Sequence, residues 1–248
     1  MIKTYILLIL FLTIAIFSSC KKGVEVPEEL KESWKLAQGA QVNQNIKKLE
    51  ERINNAKEVP EKSRLYSEKA TIEADKGDID SSLASAKASV KLDPNLAEAH
   101  YALGRAHLKA DSYEAAKLEL LKALEYNPKH APAHFELGNL YYKIRNYKEA
   151  IEEYKLAVQY DNKHFMAYNN LGVVYFLTND GTKALNSLEK ARDLNPKYPV
   201  VYKNLGIVNE LKLKNRNAAI GYYRKYLQLS PNAPERNAVK LWISAIGG

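Results

Sequence analysis

Small and apolar residues return along this chain at a fixed interval. Gly104, Gly138, Gly172 and Gly206 stand 34 residues apart, each after a leucine: Leu103, Leu137, Leu171 and Leu205. Three residues before each leucine is a ring (His100, His134, Tyr168, Tyr202), and three after each glycine stand His107, Tyr141, Tyr175 and, as an exception, Asn209. Ala116, Ala150 and Ala184 follow, then a larger residue (Leu120, Tyr154, Leu188), then Ala123, Ala157 and Ala191. Pro128 and Pro196 close two of the units, and Asn162 takes that place in the middle one. Each unit therefore holds two apolar stripes at helical spacing, such as Tyr168, Leu171, Gly172, Tyr175 and then Ala184, Leu188, Ala191, separated by Asn179-Asp180-Gly181. The pattern predicts two antiparallel helices per unit. Gly and Ala at the facing positions let the backbones approach, and the rings fill the space between pairs. One pair cannot bury its stripe alone, so stability comes from stacking neighbours.

These slots resemble the W, LG, Y, A, F, A and P pattern of the tetratricopeptide repeat family, matched at nearly every position from Ala97 to Pro196. The resemblance implies an all-α fold, an α-α superhelix. It speaks strongly for fold and weakly for function, because the fold hosts many partners.

The flanks extend the array. Residues 28–62 read as a divergent N-terminal helix pair, with Leu30, Trp34 and Ala37 on one helix, Val42, Ile46, Leu49, Ile53 and Ala56 on the next, and Gly39 as the turn. Residues 63–96 fit the repeat in phase, with Tyr66 in the ring slot, Ala70 in place of the glycine, and Ser82, Ala86 and Ser89 in the small-residue slots. Full repeats follow at 97–130, 131–164 and 165–198. The repeat at 199–233 carries one extra residue, because Pro231 lies 35 after Pro196 and Ala219, Tyr223 and Tyr226 match only if the insertion falls within Leu211 to Asn217. Residues 234–248 predict a capping helix, with Val239, Trp242, Ile243 and Ile246 on one stripe.

Residues 1–19 read as a leader: Lys3 supplies a positive start, and Ile6 to Phe17 is an apolar run broken only by Thr13. The run falls short of the roughly 20 residues of a membrane-spanning helix. Phe17-Ser18-Ser19-Cys20 resembles the lipobox of bacterial lipoproteins, which implies cleavage before Cys20 and acylation of that cysteine, palmitate included. Phe17 and Ser19 depart from the commonest lipobox, which has Leu and Gly or Ala there. Cys20 is the one cysteine, so no intramolecular disulfide forms. Several acyl chains on it would anchor the protein firmly, at roughly 0.8 kcal/mol per buried CH₂. Residues 20–27 then form a linker, with Lys21 and Lys22 beside the head groups.

The formal charge of +8 admits nucleic acid, membrane or acidic partners, but Lys and Glu are interleaved throughout, as a solvated face requires. Seventeen tyrosines are many, and a good share of them sit in repeat slots. His100 and His107 occupy ring slots, and His130 and His164 occupy equivalent linker sites, so no metal site is expected. There is no phosphate-binding glycine loop and no nucleophile elbow. No cofactor is expected, and the chain does not read as an enzyme.

In proteins of this family the first helices of successive repeats line a concave groove. Carried over by phase, that groove presents Tyr101, Arg105 and Leu108, then Phe135, Asn139 and Tyr142, then Asn169, Val173 and Phe176, then Lys203, Ile207 and Glu210. Rings, amides and few charges suit an extended peptide or a partner helix. The Lys-Asn, Asn, Lys-Arg series of a two-carboxylate clamp is missing, since Lys203 is followed by Ile207 and Arg105 shares its repeat with Tyr101. The combined expectation is a non-catalytic adaptor, lipid-anchored in the bacterial envelope at the outer membrane, holding a protein or peptide partner. Its architecture is similar to pilotin-type lipoproteins that assist outer-membrane secretins, and to lipoproteins that scaffold cell-wall enzymes.

Overall fold

The computed structural model describes residues 28–247, and among them all regular structure is helical, in twelve helices. The predicted leader and the acylation of Cys20 lie outside the described residues. The chain divides between Ala110 and Asp111 into two compact units.

The first unit contains α1 (Glu28–Asn55), α2 (Val59–Lys76), α3 (Ile79–Leu92) and α4 (Ala97–Lys109). The expected helix pair over 28–62 is corrected here: α1 is one continuous helix that passes through Gly39. A lone glycine between Gln38 and Ala40 costs a helix only about 1 kcal/mol relative to alanine, and the left-handed glycine is Gly77, at φ +85°. Most of the first half of α1 is exposed, Leu36 at 75%, while Leu49 and Ile53 in its second half are buried against Leu65 of α2. Helix α2 begins at Val59, with Pro60 in the first turn, where its missing N–H leaves no bond unmade. Gly77 then closes α2, and Asp78 caps α3 by accepting from the Ser81 N–H at 3.3 Å.

Small residues bring α2 and α3 together. Ala70 and Ala86 are fully buried, and Ser89 Oγ donates to the Ser63 carbonyl at 2.7 Å and lies 2.7 Å from Ser67 Oγ. Ser82 Oγ donates to the Ala70 carbonyl at 2.8 Å. The degenerate repeat thus joins its helices by hydroxyl bonds where the later ones use large apolar side chains. Helix α4 packs on both through Ala102 and Leu103.

The second unit contains α5 (Tyr113–Tyr126), α6 (Ala131–Lys143), α7 (Tyr147–Tyr160), α8 (Phe165–Leu177), α9 (Gly181–Leu194), α10 (Pro199–Leu211), α11 (Arg216–Leu229) and α12 (Arg236–Gly247). Hairpins α6/α7, α8/α9 and α10/α11 stack in order, with α5 on α6 and α12 on α11. The repeating glycines are the contact points inside each hairpin. A Cβ on Gly138 would lie 2.6 Å from the Tyr154 ring, one on Gly172 2.7 Å from Leu188, and one on Gly206 2.4 Å from Tyr223.

The ring slot also has a polar task. His134 Nε2 meets the Pro128 carbonyl at 3.0 Å and the Tyr202 hydroxyl donates to the Pro196 carbonyl at 2.9 Å, as His100 of the first unit meets the Pro94 carbonyl at 2.8 Å. The turns between first and second helices each use one left-handed residue: Asp111, Arg145, Asn179 and Lys214. The first three are 34 apart and the last 35, so the inserted residue lies in the turn 212–215. At the end of the unit Val239 is fully buried, and Ile243 and Ile246 pack on the same core. Trp242 stays 39% exposed, its ring 5.7 Å from that of Tyr223.

Candidate binding face

Helices α6, α8 and α10, the first helices of three successive hairpins, lie side by side on one face of the second unit. A line of amides crosses them. Asn204 Nδ2 donates to Asn169 Oδ1 at 3.0 Å, Asn169 Nδ2 to Asn170 Oδ1 at 3.1 Å, and Asn170 Nδ2 to Asn139 Oδ1 at 3.0 Å. Asn139 Nδ2 completes the line by donating to Glu136 Oε2 at 3.1 Å, and the Tyr154 hydroxyl donates to Asn139 Oδ1 at 2.7 Å. An ionised carboxylate only accepts, so Glu136 sets the direction of every amide behind it. Burial pushes the Tyr154 hydroxyl well above the ordinary tyrosine range, which keeps it a donor.

This network corrects the reading of Asn169, expected to face a partner. It is 4% exposed and bonded on both sides, because its position brings it against α10 instead of solvent. Asn139 is likewise committed, to Tyr154, Asn170 and Glu136. Asn170, Asn204 and Glu136 were outside the predicted set. The signal for them was the amide recurring at the same register in successive first helices, Asn170 and then Asn204.

Phe135 is half-buried, its ring 4.5 Å from that of His164 and 6.0 Å from Tyr154. Phe176 is half-buried under Lys212, whose Nζ lies 4.9 Å from the ring centre. Lys203 Nζ donates to Glu235 Oε1 at 2.7 Å and sits 5.6 Å from the Tyr226 ring. Hydrogen bonds from Lys203, its own backbone and Tyr226 pull the Glu235 carboxyl down to about 2. Tyr142 is the predicted residue that remains open, at 40% exposure. Met166, Leu177 and Leu211 on the same three helices are exposed with it, at 41%, 43% and 50%. Tyr101 and Arg105 belong to α4 of the first unit, where Arg105 Nη2 donates to Asp75 Oδ1 at 2.6 Å and its guanidinium stands 5.9 Å from the Tyr101 ring.

The histidines serve the helices. His130 and His164 each cap one, accepting through Nδ1 from the N–H of Ala133 at 3.1 Å and of Ala167 at 3.2 Å. His134 Nδ1 lies 2.6 Å from Glu153 Oε2 and its Nε2 faces a carbonyl. Burial opposes a charge here, but two acceptors, one beside each ring nitrogen, favour the imidazolium and raise the ring's pKa above its ordinary value. Among the described residues no group of three or more His, Cys, Asp or Glu is placed to hold a metal.

Stacked helix pairs joined through small-residue contacts define the class: a helical repeat protein. Tetratricopeptide repeat family models match residues 67–120, 102–164 and 167–198, and the chain belongs to that family. No curated protein sequence matches it. Among solved structures it is similar to PilF of Pseudomonas aeruginosa, with a TM-score of 0.68 and 21% identity over 75% of this chain and 84% of that one. It is similar to MamA of Desulfovibrio magneticus RS-1, with a TM-score of 0.59 and 25% identity over 69% and 97%. YrrB, a repeat protein with an unusual peptide-binding site, gives a TM-score of 0.59 and 21% identity over 71% and 91%.

Proposed function

We propose that this protein is a non-catalytic adaptor that holds a segment of a protein partner on the α6, α8, α10 face, tethered through Cys20 in a bacterial envelope. Tetratricopeptide repeats serve protein-protein interaction, and such proteins are generally scaffolds. The observation that carries the choice of face is the exposure of Tyr142, Met166, Leu177 and Leu211 on three adjacent first helices. Exposed apolar side chains that recur on neighbouring helices are anchors for a partner, while a solvated face would carry charge. The amides beneath them are spent on each other, so they shape the face without reading the partner. YrrB shows that this fold accommodates a peptide site.

A photoreactive residue in place of Tyr142, in living cells, tests the reading. One dominant adduct is expected, absent when the probe replaces Lys155 on the exposed side of α7. Its mass names the partner, and a secretin or a cell-wall enzyme would place the adaptor in one of the two envelope roles. Adducts from position 155 or 242 with none from 142 would overturn the choice of face. Acyl labelling that vanishes in Cys20→Ser is the expected result for the tether.

A further inference from the structure

We propose that the edge of the second unit formed by its turns between first and second helices rests on an anionic bilayer surface. Neighbouring turns touch: Lys143 Nζ donates to Asp111 Oδ1 at 3.0 Å, and Lys212 Nζ donates to Asn179 Oδ1 at 2.7 Å. Gly181 makes the second contact possible, since a Cβ there would lie 2.8 Å from Lys212. Each turn holds one left-handed residue at its tip, and the turn 212–215 accommodates its inserted residue while keeping that feature, so the tips follow one another along that edge.

Two features of those tips name the occupant. Aliphatic side chains project from two of them, Ile144 at 52% and Leu213 at 37% exposure. Cations surround them: segments 111–114, 143–149, 178–183 and 211–216 hold seven Lys or Arg against four acids. Two of those acids are already neutralised, Asp111 by Lys143 and Asp180 by Lys183 at 2.7 Å. Arg145, Lys148, Lys214 and Arg216 remain exposed. The loops on the opposite edge, 127–130, 161–164, 195–198 and 230–235, contain no Leu, Ile or Val. An aliphatic tip beside a long cation suits the boundary of a bilayer, where the first enters the acyl region and the second reaches the phosphates. An acidic protein would satisfy the cations but gives two separate aliphatic tips no pocket to fill. The edge adjoins the proposed partner face at Leu177 and Leu211 but presents different side chains, and its contact with lipid does not depend on Cys20.

The test uses the full chain carrying Cys20→Ser and one new cysteine, Leu213→Cys, Ile144→Cys or Lys155→Cys, labelled with an environment-sensitive dye. It is reconstituted in phosphatidylcholine vesicles with or without phosphatidylglycerol, using brominated lipids as quenchers. Quenching is expected at 213 and 144 in vesicles containing phosphatidylglycerol and not at 155. Adding Arg145→Glu and Lys214→Glu to the Leu213→Cys chain should reduce it strongly, with each lost cation weakening surface attraction about fivefold. Circular dichroism confirms that the helices persist. Equal quenching at 155 and 213, equal quenching without phosphatidylglycerol, or none in any vesicle would overturn the proposal. The last result together with cross-linking of 213 to an acidic protein would assign the edge to that protein instead.

Discussion

The side-chain amide of Asn170 donates to Oδ1 of Asn139 at 3.0 Å, joining two first helices 31 residues apart in sequence. That oxygen also accepts from the Tyr154 hydroxyl, so a single atom ties the second helix of one repeat and the first helix of the next to α6. A fully satisfied polar network of this kind fixes one packing of neighbouring helices, because any slip strands its donors.

Asn139→Ala removes the acceptor from Tyr154 and Asn170 and the donor from Glu136. Stranding buried donors costs about 1–3 kcal/mol. Urea unfolding should show a loss of about 2 kcal/mol or more. Tyr142→Ala, on the same helix but exposed, should stay within about 0.5 kcal/mol of the parent while weakening partner capture.

The two kinds of glycine should respond oppositely to a methyl group. Gly138→Ala forces a Cβ to 2.6 Å from a Tyr154 ring whose hydroxyl is already bonded, and overpacking of this sort costs about 1–3 kcal/mol. Gly39→Ala meets nothing within 4 Å and should stabilise α1 by about 0.5–1 kcal/mol. Thermal melting of the two variants, side by side, reads both signs.

His134 links stability to pH. Burial works against its imidazolium, but the hydrogen bond to Glu153, the Pro128 carbonyl and the Glu153 charge outweigh it and raise its pKa above the ordinary value of 6.5. The folded state therefore binds the proton more tightly than the unfolded chain. The stabilisation is fully present below the unfolded pKa and is lost as pH rises through the folded one. Urea midpoints should fall between pH 6 and pH 9, and Glu153→Gln should flatten that dependence by removing the charge that raises the pKa. A midpoint that rises over this range would contradict the assignment.

Much of the fold was legible because the repeat states each contact several times. Gly138, Gly172 and Gly206 recur where a large side chain of the partner helix crosses, and the period of 34 followed from that requirement. The inserted residue was legible too, from Tyr223 falling one place late. The break at Gly39 was misread, because a turn signal in sequence does not reveal whether the helix on either side continues. The candidate face was only half legible. Phase assigned Asn139 and Asn169 to the correct helices, but whether an amide meets solvent or another amide depends on how closely α6, α8 and α10 approach.

The amino-acid sequence by itself determined the helices, their pairing and their order, because periodic apolar and small residues act through local spacing and nearest neighbours. Tertiary structure alone decided which side chains stay available. Asn169, Asn204 and Lys203 are occupied by residues distant in the chain, and Tyr142, Leu177 and Leu211 are left open. Hydrogen bonds between repeats form at separations near 3 Å, a precision that only the packed helices supply.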